Sequence, residues 1–165
     1  MMSSSPSPLP PSVWQHPFSV FAIGFGAGAL PKAPGTWGTL AAVPFFFVLQ
    51  PLSFFEYAVV VAILFGLGVW WCGKTAKLIG VHDHPAIVWD EMVGFLVTMT
   101  AAPEGWLWVV CGFLLFRLFD IWKPWPIHLL DRRVSGGLGI MADDAVAGLY
   151  SAACLFLCKL VLGIA

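Results

Sequence analysis

The chain has 165 residues, of which 59% are hydrophobic, 15% aromatic and only 10% charged, with a formal net charge of −1 and a mean hydropathy of +0.88. A soluble domain carries roughly 25% charged residues to cover its exterior, so a water-facing globule is excluded and a lipid-facing one expected. The near-neutral balance offers no polybasic surface for nucleic acid, and four cysteines without a CxxC pair (Cys72, Cys111, Cys154, Cys158) support neither a disulfide framework nor a zinc site.

The stretch Met1–Ser12 is rich in Ser and Pro and holds neither a basic residue nor an apolar run. It reads as part of a disordered tail over residues 1–15 rather than a cleaved signal, followed by a single helical membrane domain over 16–165. Phe18–Leu30 is apolar, glycine-rich and too short to cross, which predicts a re-entrant or interfacial segment. Five segments then approach the ~20 apolar residues that a membrane helix needs. Thr39–Leu52 is short, Phe54–Cys72 is a clean span, and Ala86–Ala101 is short and opens on acids; Gly105–Trp122 and Ala142–Ile164 complete the set. The expected fold class is therefore all-α and polytopic, with about five membrane helices. Pro51, Pro103, Pro124 and Pro126 punctuate the connections. No internal repeat is visible, so a repeat-built transporter is not suggested.

Alternating crossings sort the charges. Lys32, Lys74, Lys77, Asp83, Asp90, Glu91, Arg117, Asp120, Lys123, Asp131, Arg132, Arg133, Asp143 and Asp144 fall on one face, against Glu56, Glu104 and Lys159 on the other. Seven of the eight Lys and Arg residues share that side, and the positive-inside rule makes it cytoplasmic. Seven of the nine acids lie there too, which that rule does not require.

Two diacids are predicted to open apolar helices, Asp90-Glu91 and Asp143-Asp144, each followed one turn on by small residues (Gly94; Ala147 and Gly148). Small residues let membrane helices approach closely, so four carboxylates can converge at one level. Their mutual repulsion then calls for protons, basic side chains or a cation. An all-oxygen donor set favours Mg²⁺ or Mn²⁺ over zinc. The plainer reading is that acids at helix N-termini offset the macrodipole; two such pairs on one face weigh against it.

Arg117 and Asp120 share a helix face, with Lys123 three residues on and Pro124 ending the helix. This is either an internal ion pair with a snorkelling lysine or a phosphate clamp beside a metal carboxylate, the latter favoured because Arg117 lies a turn inside an apolar helix. In Pro31-Lys-Ala-Pro-Gly-Thr-Trp-Gly-Thr, Lys32 and Thr36 are candidates for phosphate at a helix start, where a Gly/Pro turn with a threonine N-cap is the commoner arrangement. In His82-Asp83-His84, Asp83 is the candidate metal ligand and the histidines are discounted. Asp131-Arg132-Arg133 either grips anionic headgroups or sets topology. Gly136-Gly137-x-Gly139 reads as a flexible loop able to close over a substrate.

The ordered set Gly-Thr-Trp-Gly, Asp-Glu-x-x-Gly, Phe-Arg-x-Phe-Asp-Ile-x-Lys-Pro-x-Pro-Ile and Gly-Ile-Met-Ala-Asp-Asp-x-x-Ala-Gly closely resembles the phosphatidylglycerophosphatase A family of bacteria, over Phe18 to Tyr150. The resemblance implies Mg²⁺-dependent removal of the terminal phosphate of phosphatidylglycerophosphate, giving phosphatidylglycerol at the cytoplasmic side of the inner membrane. It implies a site of Thr36, Asp83, Asp90, Glu91, Arg117, Asp120, Lys123, Asp143 and Asp144. Asp83, Asp90, Glu91, Asp143 and Asp144 are the expected metal ligands, Asp120 is expected to join the catalytic acids, and no protein partner is implied. Either a metal-activated water or an attacking Asp fits these residues. The alternative is a small ion carrier or channel, which should spread its acids through the depth of the helices rather than stop at one face. The Asp-Gly-x-x-Ala-Arg string of CDP-alcohol phosphotransferases and the Ser-Gly-His of histidine-nucleophile lipid phosphatases are both missing.

Overall fold

A computed structural model describes residues 9–100 and 102–163, all of it helix, turn and loop. Among the described residues seven α-helices follow one another: α1 Pro17–Ala22, α2 Pro34–Leu49, α3 Phe54–Ile79, α4 Trp89–Met99, α5 Trp106–Trp122, α6 Ile127–Arg133 and α7 Gly136–Val161. The long elements carry the local signals that start and stop helices. Ser53 caps α3 through a reciprocal box with Glu56, and Gly80, at φ 79°, ends it in the left-handed conformation that glycine adopts freely. Proline directly follows the C-cap residue of both α2 and α5 (Pro51, Pro124).

Helix α4 stands at the centre. Nine of its 11 residues are buried, and it packs on α2, α3, α5 and most extensively on α7. The Trp89 indole donates to the Leu64 carbonyl (3.2 Å) and the Tyr57 hydroxyl to the Leu96 carbonyl (2.8 Å), so both ends of α4 are tied to α3. At 1.5 Å per residue α4 is about 16 Å long, about half of a ~30 Å hydrocarbon core.

Against the five membrane helices expected, among the described residues two helices, Phe54–Ile79 and Gly136–Val161, are long and apolar enough to cross by length and composition, and Pro34–Leu49 is a shorter apolar one. Helix α4 is apolar all round because protein surrounds it, a pattern that composition does not separate from contact with lipid. The membrane character itself stands. Large apolar side chains such as Phe54, Phe55, Ile63, Trp70, Leu107, Leu114, Leu157 and Val161 point outward along α3, α5 and α7, a surface suited to acyl chains rather than water.

Residues 1–8 of the expected tail, together with Ala101 and Ile164 at the ends of two expected helices, lie outside the described residues. Within the rest of that tail, Pro11–Gln15 forms a 3-10 turn whose Val13 is fully buried against Ile23 and Ala86, so ordered structure begins before residue 16. The Phe18–Leu30 segment folds back on itself against α3, α2 and the loop before α4. Ser19 meets Thr75 near the end of α3, Phe21 stacks on Trp71 one turn deeper, Phe25 stacks on Phe45 of α2, and Gly28 comes back against the Ala86 backbone. Two further expectations change. The glycines at 136, 137 and 139 form the first turn of α7 rather than a closing loop, because Gly137 lies directly on the Val69 and Gly73 backbone of α3, where any side chain would clash. The Trp122–Met141 connection contains α6.

Candidate active site

One end of the bundle gathers the start of α2, the loop before α4, the first turn of α4, the last two turns of α5 and the third turn of α7. They enclose a cleft of about 310 Å³ lined by six carboxylates (Asp83, Asp90, Glu91, Asp120, Asp143, Asp144), two cations (Arg117, Lys123) and the apolar Ala33, Pro34, Gly35, Pro85 and Ile87.

Each side chain arrives for a local reason. Asp90 and Glu91 follow Trp89 in the first turn of α4, where free backbone N–H groups favour acids. Arg117 and Asp120 are one turn apart on α5 and form an ion pair; the same Arg117 Nη1 lies 3.9 Å from Glu91 Oε1. Asp143 and Asp144 sit two turns inside α7, not at its start as expected, because the helix begins at Gly136. Close packing of α7 on α4 then sets their level. A Cβ on Gly94 would stand 2.9 Å from the Asp144 carbonyl oxygen, and one on Gly148 would run into the Gly94 carbonyl. Glycine at both positions lets the two helices touch backbone to backbone and brings the diacids together.

The acids separate into two groups. Asp90, Glu91 and Asp144 each present a carboxylate oxygen within 4.8 Å of the other two. Asp90 and Asp144 are buried, and Asp90 Oδ1, Glu91 Oε2 and Asp144 Oδ2 have no hydrogen-bond partner among the described residues. Buried unpaired carboxylate oxygens are costly. Three convergent carboxylates, all hard donors, fit a divalent cation of the Mg²⁺ or Mn²⁺ kind. Asp143 belongs to the second group: its Oδ2 accepts from Lys123 Nζ at 2.8 Å, and the same ammonium reaches Asp131 Oδ1 at 2.7 Å. Burial works against the Lys123 charge, but the hydrogen bonds it donates to Asp131 and Asp143 outweigh it and hold its pKa above the usual lysine range.

Of the sequence-predicted residues, Asp90, Glu91, Asp144, Asp143, Asp120, Arg117 and Lys123 come together, with Asp83 exposed on the same wall. Lys32 and Thr36 do not line the cleft. Lys32 is exposed, with its carbonyl taking the Trp37 indole N–H (3.1 Å), and Thr36 lies inside α2, whose N-cap is Ala33 rather than a threonine. The segment contributes backbone instead: a Cβ on Gly35 would overlap Glu91 Oε1 and stand 2.9 Å from Arg117 Nη1. His82 and His84 take part in backbone contacts, accepting from Gly136 N (2.6 Å) and Ala86 N (3.2 Å) respectively. Sequence reasoning missed Asp131 as the partner of Lys123; two prolines separate them, and no periodicity carries across such a turn.

Residues 20–159 match the family model described as Phosphatidylglycerophosphatase A. The chain is 49% identical over 142 residues to "Phosphatidylglycerophosphatase A" of Escherichia coli (strain K12), covering 86% of this chain and 83% of the relative. It is 42% identical over 143 residues to the protein of the same name from Haemophilus influenzae, covering 86% and 88%. A "Putative phosphatidylinositol-3-phosphatase" of Bacteroides thetaiotaomicron is 36% identical over 152 residues, covering 87% and 94%. No solved structure matches the chain.

Proposed function

Because the chain belongs to the phosphatidylglycerophosphatase A family and is thus a phosphoric monoester hydrolase, we propose that it hydrolyses the terminal phosphomonoester of phosphatidylglycerophosphate, in a Mg²⁺-dependent reaction, to phosphatidylglycerol and inorganic phosphate. The observation that carries this reading is the convergence of Asp90, Glu91 and Asp144 within 4.8 Å in the same cleft as Arg117 and Lys123. A phosphomonoester dianion needs such an arrangement: cations for its oxygens, and a metal site to offset the carboxylates that would otherwise repel it.

Mg²⁺ held by Asp90, Glu91 and Asp144 would withdraw charge from the phosphate oxygens and acidify the attacking water. The protein's own groups do the rest. The Arg117 guanidinium, fixed by Asp120, and the Lys123 ammonium bind the remaining phosphate oxygens and hold phosphorus in line with its nucleophile. A cleft carboxylate takes a proton from the attacking water as the water oxygen bonds to phosphorus and the phosphorus–oxygen ester bond breaks, and it passes that proton to the departing glycerol oxygen, which leaves as a hydroxyl. The lipid tails stay in the bilayer beside the apolar outer faces of the helices. In this reading the protein is a multi-pass component of the bacterial inner membrane with the cleft facing the cytoplasm, the side that the Lys and Arg asymmetry favours. An ion pathway finds no comparable support, since the acids stop at one end of the bundle.

The test is phosphate release by the purified protein from detergent micelles of phosphatidylglycerophosphate, with Mg²⁺ or EDTA, alongside Asp144→Asn. The expected result is release abolished by EDTA and lowered at least about 100-fold by the substitution, equivalent to ~2.7 kcal/mol of transition-state stabilisation. Release that is indifferent to EDTA and to Asp144→Asn overturns the metal assignment, and no release from folded, Mg²⁺-supplied protein overturns the substrate.

A further inference from the structure

We propose that Asp131, on the short helix α6, is a positioning residue that holds the Lys123 ammonium at the cleft in the orientation that receives a phosphate oxygen. The proposal rests on the phosphomonoester reading of the cleft and adds to it a residue outside the cleft lining.

Three observations support it. Lys123 Nζ is held between Asp131 Oδ1 at 2.7 Å and Asp143 Oδ2 at 2.8 Å. An ammonium has three N–H donors, so this bridge aims the ammonium from two sides and leaves one donor for a ligand. Second, Lys123 caps α5 at φ 46°, a left-handed conformation in which glycine is the easy choice at a helix C-terminus. A lysine there is strained backbone retained for its side chain. Third, Asp131 is anchored independently of the ligand. Ile127 of α6 is fully buried, α6 packs along α7, and the Tyr150 hydroxyl of α7 donates to the Trp125 carbonyl (3.1 Å) within the turn that joins Lys123 to α6.

The two acids are not equivalent. The Asp143 side chain is 9% exposed and that of Asp131 35%. Asp143 draws Lys123 toward the buried cluster, whereas Asp131 draws it toward solvent. Without Asp131 the ammonium settles on Asp143 and is withdrawn from an incoming phosphate.

The experiment is a double-mutant cycle on the full chain in detergent with Mg²⁺, using Asp131→Asn, Lys123→Met and the pair, with Asp131→Glu as the conservative control. Inorganic phosphate binding and the kinetics of phosphate release from phosphatidylglycerophosphate micelles are both read. Asp131→Asn should weaken phosphate binding and raise KM by about 5- to 20-fold, with kcat changed less than about threefold, the range expected for a charge-assisted bond. Asp131→Glu should restore both to within about threefold of the unmodified protein, and in the Lys123→Met background Asp131→Asn should change phosphate affinity by less than about twofold. Unchanged affinity in Asp131→Asn, a fall in kcat alone, or an equal loss in the Lys123→Met background each overturns the proposal. If Asp131→Asn does not fold, Asp131→Ser takes its place in the same cycle. Failure of the unmodified protein to release phosphate from the lipid would sink the substrate reading, while the inorganic phosphate cycle would still decide the role of Asp131.

Discussion

Substituting Gly35 by alanine separates the site from the scaffold more cleanly than removing a charged residue. The added methyl would overlap Glu91 Oε1 and stand 2.9 Å from Arg117 Nη1 and 3.2 Å from Glu91 Cδ. Comfortable contacts between such atoms begin near 3.5 Å, so the Glu91 carboxylate must retreat by about 1 Å and Arg117 by somewhat less. Both obstacles are ends of flexible side chains, and Gly35 sits in the first turn of α2, where alanine is the better helix former by up to ~1 kcal/mol. The fold should therefore be nearly indifferent, with a net change within about 1 kcal/mol. The chemistry should not be, since a misplacement of ~1 Å at a reacting centre costs on the order of 100-fold. Gly35→Ala is thus expected to lose about 30- to 100-fold in kcat/KM for phosphate release, while its thermal midpoint in detergent moves by no more than a few degrees. Activity above half that of the unmodified protein, or a loss accompanied by a collapse of the thermal midpoint, would refute the placement of Gly35 against Glu91 and Arg117.

Gly148→Ala makes the opposite prediction, because its obstacle is the Gly94 carbonyl of the neighbouring helix, which cannot rotate away. It should destabilise the protein by about 1–3 kcal/mol, read as a lower denaturation midpoint in detergent, with activity falling in parallel as α4 and α7 move apart. Arg117→Lys keeps the charge but loses the planar fork that faces Asp120 and Glu91 together. It should cost about 10- to 100-fold in kcat/KM without loss of stability, and equal activity of the two proteins would exclude Arg117 from contact with the phosphate.

The charged lining of the cleft was legible in the sequence because charge is conspicuous in an apolar chain. Asp90, Glu91, Arg117, Asp120, Lys123, Asp143 and Asp144 stand out against 59% hydrophobic residues, and helical spacing already puts Arg117 and Asp120 on one face. The gathering of acids at one end followed from alternating helices alone. The roles of the segment around Lys32 and Thr36 were not legible in the same way. Its residues suggest hydroxyls and an ammonium, yet it serves the cleft through a glycine without a side chain, visible only once Glu91 and Arg117 are seen to rest against it.

Composition and the alternation of helices determined that the chain is helical and lipid-facing and which charged residues gather at one end, since these depend on each residue's own affinity for water, lipid and charge. The tertiary structure decided what those properties leave degenerate. Protein and lipid are equally apolar neighbours, so only packing reveals that nine of the 11 residues of α4 are buried against other helices. Four acids in two pairs are chemically alike, so only the level at which α7 meets α4 groups Asp144 with Asp90 and Glu91 while Asp143 joins Lys123 and Asp131. That level is fixed by backbone contact at Gly94 and Gly148, a relation between two helices that neither helix carries alone.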